Sequence, residues 1–391
     1  TGSVQQRLCC MDMVILGVPL LALAGFLFAS YAIVANDVIQ TLGTFLSSNA
    51  KRPWLLLWAF ASSIIVAVMI YGWFAYDGDI AFGRLNRIPY PELGIQWWHV
   101  LPPLVLLVLT RFGIPVSTTF LVLTIFTLTG GASTEGVLGS MLLKSFAGYV
   151  VAFAAGAVVF LVVARFFERW VARTRGQPIS PAWFIAQWCS TAFLWSQWLM
   201  QDLANIFIFL PRETVITADG SVQVTFSLGL VVFATLLMVA LHGIIFATRG
   251  GEIQKIVLTK TNTVDPRSAT FVDLIYAFIL LFFKELNDVP MSTTWVFLGL
   301  LAGREIAITY VASLRSKGEA MFDVATDIGR AGIGLAVSVA MALALPFMAT
   351  GSMPDIRQQI FGSAEAQTRL ADTPDPLSAE TGPAMRARGA P

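Results

Sequence analysis

Residues 111–120 read Arg-Phe-Gly-Ile-Pro-Val-Ser-Thr-Thr-Phe, and residues 286–295 read Leu-Asn-Asp-Val-Pro-Met-Ser-Thr-Thr-Trp. Each places Pro-x-Ser-Thr-Thr near the centre of a long apolar segment, at about 97–130 and about 269–311. A simple membrane span needs roughly 20 residues, so both segments are too long for one. Each therefore reads as two half-length helices forming a re-entrant hairpin that returns to its own side. Backbone at lipid depth can break in this way only where it is buried in protein or lines a cavity. A polar break used twice points to two repeats arranged around one central site.

The rest of the composition agrees. Of 391 residues, 56% are hydrophobic and 13% charged. Further apolar runs lie at about 13–46, 54–75, 138–167, 183–210, 224–247 and 323–350. The expected fold class is an all-α integral membrane protein with six spans and two broken hairpins. Alternating strand-like segments are lacking, which argues against a barrel. A net charge of +1 gives no reason to invoke nucleic acid. The cysteines, two of them adjacent at Cys9 and Cys10, make neither a disulfide framework nor a metal site. His99 and His242 read as interfacial or packing residues. No nucleophile–base pair stands out, so an enzyme is not expected, nor a cofactor beyond a coupling cation. The first ten residues, ahead of Met11 and Met13, do not have the layout of a cleaved signal peptide.

Loop charge tests the topology. Basic residues dominate loops 47–53 (Lys51, Arg52), 165–178 (Arg165, Arg169, Arg173, Arg175), 248–268 (Arg249, Lys255, Lys260, Arg267) and 312–322 (Arg315, Lys317). Loops 76–96 and 211–223 hold Asp77, Asp79, Glu92, Glu213 and Asp219 against fewer cations. The positive-inside rule puts the first group in the cytoplasm and the second outside. Six spans and two hairpins satisfy every loop and leave both termini outside. The pattern suits a bacterial inner membrane. The order span, span, hairpin, span occurs twice and starts on opposite sides. The expected units are therefore inverted repeats at 1–182 and 183–350. The stretch 351–391, rich in Pro, Ala, Gly and mixed charge, is expected to be a disordered polar tail.

Two further motifs carry chemistry. Asn36-Asp37-Val38-Ile39-Gln40 and Gln201-Asp202-Leu203-Ala204-Asn205 share the form amide–Asp–apolar–x–amide. Each falls in the first long segment of its repeat. An acid at the centre of a membrane helix costs about 2.5–3.5 kcal/mol on insertion scales. Amide oxygens one residue before and three after the acid make a hard-oxygen site for a small cation. The breaks suit an anion instead. The free N–H groups of each outgoing helix, at the positive end of its dipole, are joined by the hydroxyls of Ser117, Thr118 and Thr119, or Ser292, Thr293 and Thr294. Two acids and an oxyanion in one dry cavity repel, and none of the four motifs contains Lys or Arg. Bound cations must then supply compensation, which predicts cation-coupled symport. Asp288, two residues before Pro290, either extends the site or pairs with Lys284. Arg111, Lys144, Asp273, Arg304 and Glu305 read as gating groups or local ion pairs.

At these residues the chain resembles the inorganic phosphate transporter family of cation-coupled permeases. That family carries Asn-Asp-Val-x-Asn early in each repeat and Pro-Val-Ser-Thr-Thr-His later. Asn36-Asp37-Val38 and Gly43-Thr44 match, with Gln40 for the second Asn. Asp202 and Asn205 match, with Gln201 for the first Asn. Residues 110–119 and 249–303 also follow the family. The resemblance covers most of residues 20–345 and is dense only at the motifs. It implies Na⁺ at Asp37, Gln40, Asp202 and Asn205, supported by Asn36 and Gln201. It also implies phosphate on the two Ser-Thr-Thr triplets, and a homodimer. Phe120 and Trp295 stand where the family has His, and with Asp288 they become candidate selectivity residues. Sulfate or another oxyanion, H⁺ in place of Na⁺, and a non-transporting membrane subunit or sensor remain the alternatives.

Overall fold

The computed structural model describes residues 14–15, 17–111, 116–130, 134–174, 176–217, 221–248, 265–312, 317–351, 353 and 355–362. Pro115, residues 249–264 with their Gly-Gly-x-Ile-x-Lys stretch, and residues 363–391 lie outside them. The chain is almost wholly helical. In order come α1 (Leu20–Ser48), α2 (Trp54–Ala75), α3 (Trp97–Arg111), α4 (Thr118–Thr129) and α5 (Val137–Arg173). Then follow α6 (Pro181–Phe207), α7 (Leu228–Ala247), α8 (Pro266–Leu286), α9 (Thr293–Ala312), α10 (Lys317–Thr350) and α11 (Ile356–Phe361).

Four of these, Leu20–Asp37 within α1, α2, Val137–Val162 within α5, and α7, are long and apolar enough to cross a membrane. Helices α6 and α10 are long enough but more polar. In α6 the polar residues Gln187, Thr191, Gln201, Asp202 and Asn205 are all buried, so its polarity faces protein. Helix α1 shows how the stripe is built. Ala22, Phe26, Ala29, Ile33, Asn36, Gln40 and Thr44 recur every three or four residues and are all buried. The stripe is apolar in its first half and polar from Asn36 onward. Large apolar side chains such as Ile70, Phe74, Val162 and Leu236 lie exposed on the flanks, as lipid contact requires. The chain is thus an integral membrane protein.

Helix α1 packs on α3, and α6 on α8. Helix α4 packs on α10, and α9 on α5. Helix α2 meets α7. The α5–α9 joint is the tightest. Gly299 and Gly303 sit one turn apart on α9, and a Cβ on either would strike the backbone carbonyl of Tyr149 or Phe153. A Cβ on Gly156 of α5 would come within 2.6 Å of the Leu300 carbonyl oxygen. Small residues at this spacing let membrane helices touch backbone to backbone.

Several expectations need correction. The first span begins at Leu20, not 13, behind a short strand pair, β1 (Val14–Ile15) and β2 (Val18–Pro19). A second pair, β3 (Glu213–Ile216) and β4 (Val222–Thr225), pairs antiparallel where a plain loop was expected. The first hairpin has arms of 15 and 12 residues, as its half-length reading requires. The second has arms of 21 and 20 residues. At 1.5 Å per residue each is about 30 Å long, so these are not half-length helices. Polar ends account for the difference. Asp265 caps α8 and pairs with Arg267 at 2.7 Å, and α9 runs on through Arg304 and Glu305. Finally, α11 falls within the stretch expected to be disordered. Asp355 caps it, and the Gly136 N–H donates to the Gln358 carbonyl at 3.3 Å.

Residues 76–96 form a cap rather than a solvated loop. Ile80, Ala81, Phe82, Leu85 and Ile88 are buried. Asp79 holds the turn, accepting from the Ala81 N–H at 2.8 Å and the Gly83 N–H at 2.6 Å.

Candidate functional site

The structure brings the first turns of α4 and α9 together. The Thr119 hydroxyl donates to the Met291 carbonyl at 3.1 Å, and the Thr294 hydroxyl reaches the Val116 carbonyl at 3.4 Å. These bonds are reciprocal, since Thr119 and Thr294 are the third residues of their triplets and Val116 and Met291 each follow the proline. The serines work locally. Ser117 Oγ accepts from the Phe120 N–H, and Ser292 Oγ from the Trp295 N–H, each at 3.2 Å. They are N-caps, as their position before an outgoing helix favours. The N–H groups of Thr118, Thr119, Thr293 and Thr294 belong to the first turns, where helix geometry supplies no acceptor.

Asp202 lies at the junction, fully buried. Its Oδ1 accepts from Asn205 Nδ2 at 2.8 Å and from the Thr119 hydroxyl at 3.3 Å. Its Oδ2 accepts from the Thr293 hydroxyl at 2.6 Å. One carboxylate thus gathers hydroxyls from both breaks. Asn205 Nδ2 also points at the hydroxyls of Thr118 and Thr119, at 3.3 and 3.2 Å.

Asp37 is equally buried and within electrostatic reach of Asp202. Asn36 Nδ2 donates to its Oδ1 at 2.7 Å and to the Val116 carbonyl at 3.0 Å, tying α1 to the first break. The Thr118 side chain stands beside this carboxylate. Among the described residues, Asp37 Oδ2, Gln201 Oε1 and Asn205 Oδ1 have no hydrogen-bond donor, although all three are buried. Gln201 Nε2 donates to the Leu280 carbonyl at 3.0 Å, and Gln40 is buried one turn beyond Asn36. Buried acceptor oxygens without donors are what a hard cation needs.

Phe120 and Trp295 meet across the two breaks in a tilted contact, with ring centroids 5.5 Å apart and planes at 55°. Asp288 does not join the buried cluster. It is exposed and lies against Gly83 of the cap, and Lys284 pairs with Glu285 at 2.7 Å instead. Lys144 makes no ion pair among the described residues. It donates to the Asn287 carbonyl, Asn287 Oδ1 and the Val289 carbonyl at 2.7, 2.8 and 2.8 Å, satisfying acceptors freed by the second break. Asp273 likewise has hydroxyl partners, Thr44 and Thr191, each at 2.6 Å.

Sequence reasoning missed Tyr276, whose hydroxyl donates to the Thr293 carbonyl at 3.0 Å, and Ser145, whose Oγ accepts from the Ser292 N–H at 2.8 Å. Neither lies in a motif. Their signal, a lone hydroxyl on an apolar helix, is common in membranes.

Two breaks lined with hydroxyls and joined by a buried acid thus lie inside a helical membrane protein. No family model and no curated protein matches the sequence. Among solved structures, the chain matches one described as "The sodium-dependent phosphate transporter". The TM-score is 0.52 and the identity 14%, over 85% of this chain and 98% of that one. The likeness is one of fold, and the neighbour is a transporter rather than an enzyme.

Proposed function

We propose that this chain is a secondary transporter that moves inorganic phosphate together with a coupling cation, Na⁺ first, by alternating access between inverted repeats at 1–182 and 183–350. The observation that carries the proposal is the meeting of both breaks on Asp202. The reciprocal threonine–carbonyl bonds and the matched helix pairings support the two-repeat reading. The description of the structural neighbour supports phosphate as substrate and sodium as coupling ion. The basic loops support a plasma membrane with both termini outside.

The donor arrangement suggests how cation and anion are coupled. The Thr119 and Thr293 hydroxyls both reach Asp202. A cation bound through Asp37, Gln201, Asn205 and Asp202, with Asn36 and Gln40 in support, neutralises the acids and lessens their claim on those hydroxyls. Thr118, Thr119, Thr293 and Thr294 then turn their hydroxyls and first-turn N–H groups to the oxyanion, and Ser117 and Ser292 add theirs. The cation therefore binds before the anion. Phe120 and Trp295 close the apolar wall beside the site and bear on which oxyanion fits.

The test is uptake of labelled phosphate into liposomes holding the purified protein, with and without an inward Na⁺ gradient, and with sulfate as competitor. Na⁺-driven uptake of phosphate is expected. Saturable sulfate uptake instead would keep the mechanism and change the substrate. No flux of either ion from folded protein would sink the proposal.

A further inference from the structure

Arg84 in the cap is 1% exposed. Among the described residues, no group accepts a hydrogen bond from its Nε, Nη1 or Nη2. A guanidinium presents five donors in a rigid fork, and leaving them unpaired in a buried place is expensive. Neighbouring cations are differently used. Lys144 caps the second break, and Arg212 donates to the Ile208 and Ile88 carbonyls at 2.9 and 2.7 Å.

The charges facing Arg84 locate it. Asp288, Asp202 and Asp79 lie within electrostatic reach, yet none accepts a hydrogen bond from it. Asp202 carries the hydroxyls of both breaks, and Asp288 stands at the entry to the second. The backbone beside Arg84 is seated firmly on that entry. Gly83 has φ +80°, and a Cβ there would lie 2.9 Å from Asp288 Cγ. Gly83, Leu85, Asn86, Asp288 and Val289 line a cleft of about 690 Å³ that opens beside it. Arg84 is thus flanked in sequence by residues that line this cleft, and it lies within electrostatic reach of Asp202 in the buried donor cluster. Burial lowers its guanidinium only to about 10, so it stays charged at neutral pH.

We propose that Arg84 is a direct ligand of the transported anion, its fork engaging two oxygens of a tetrahedral oxyanion held at the two Ser-Thr-Thr breaks. The inference rests on the transport reading above. It adds a positive charge that the four motifs lack, so cations are not alone in offsetting two acids and a multivalent anion. A planar fork matches two anion oxygens at once, which a lysine cannot do.

The test is equilibrium binding of ³²P-labelled phosphate to the full-length protein in lipid nanodiscs with saturating Na⁺, for wild type, Arg84→Gln, Arg84→Lys, Thr293→Ala and Lys51→Gln, an exposed control outside the cleft. Arg84→Gln is expected to weaken phosphate binding by about 100-fold, as for truncation of one partner of a buried charge pair. Arg84→Lys should weaken it by about 10-fold, the control less than twofold. Binding by Arg84→Gln within twofold of wild type would overturn the inference. Should that variant fail to fold, Arg84→Lys at wild-type affinity would overturn it equally. If Thr293→Ala loses binding while both Arg84 variants keep it, Arg84 alone is excluded. If wild type binds neither phosphate nor sulfate, the transport reading fails and takes Arg84 with it.

Discussion

The two intramembrane acids hold matching places in their motifs and are used differently. Asp202 is a tie: both its oxygens accept, and its donors come from both breaks. Asp37 is held by Asn36 with the Thr118 side chain beside it, and among the described residues its second oxygen has no donor within hydrogen-bond geometry. A duplicated motif has thus diverged into one acid that fastens the site and one that offers an oxygen. On the proposed transport reading, the difference implies that substitution of Asp202 disturbs both the fold and uptake, whereas substitution of Asp37 disturbs uptake almost alone.

The largest effect tests that division. Asp37→Asn and Asp202→Asn should both reduce cation-driven uptake to background. They should part in thermal stability, followed in detergent by a fluorescence melt. Asp37→Asn leaves the fold nearly unchanged. Asp202→Asn sets an amide N–H₂ against incoming hydroxyl donors and should cost about 2–3 kcal/mol. Equal losses of stability would erase the distinction.

The helix joints give the next comparison. In the α5–α9 joint Gly303 has no room for a methyl group, whereas a Cβ on Gly332 of α10 meets nothing within 4 Å. Gly303→Ala should lower stability by roughly 1–3 kcal/mol through overpacking. Gly332→Ala should raise it by up to about 1 kcal/mol through helix propensity. Opposite shifts in melting temperature are the expected result, and shifts of the same sign would refute it.

How far these asymmetries could be read beforehand depends on what makes them. The breaks, the two acids and the order of elements were legible, because each leaves a local pattern: a proline with three hydroxyls, an acid among amides, a run of apolar residues. The β3–β4 pair was legible too, since Glu213–Ile216 and Val222–Thr225 flank Asp219-Gly220, a strong hairpin turn signal, and was passed over as loop. Arg84 was not legible. A single cation in a loop of mixed charge has no spacing to mark it, and its burial comes from the approach of Gly83 to Asp288, about 200 residues away. Lys144 misled for the same reason. Its partners are carbonyls exposed by a distant break, which no charge pattern announces.

Lys144 bears on the comparison as well, because its three acceptors all belong to the second break. Lys144→Met should destabilise by about 1–3 kcal/mol by leaving the buried Val289 carbonyl without this donor. Hydrogen exchange should rise around residues 287–292 and stay unchanged at 116–120. A uniform rise across both breaks would mean that they form one cooperative unit.

The smallest effect probes the reciprocal bonds themselves. Thr119 reaches both Met291 and Asp202 and receives Asn205, so its hydroxyl serves three groups at 3.1–3.3 Å. Thr294 makes one long contact at 3.4 Å. A bond that long is weak. Thr119→Ala should therefore cost about 1 kcal/mol and Thr294→Ala less than about 0.5 kcal/mol. The double variant sharpens the point. If the two bonds belong to one closed arrangement, losing the first loosens the second, and the double variant costs less than the sum. Strict additivity would mean that each break holds its shape independently. The meeting at Asp202 and the Phe120–Trp295 contact would then be what links them.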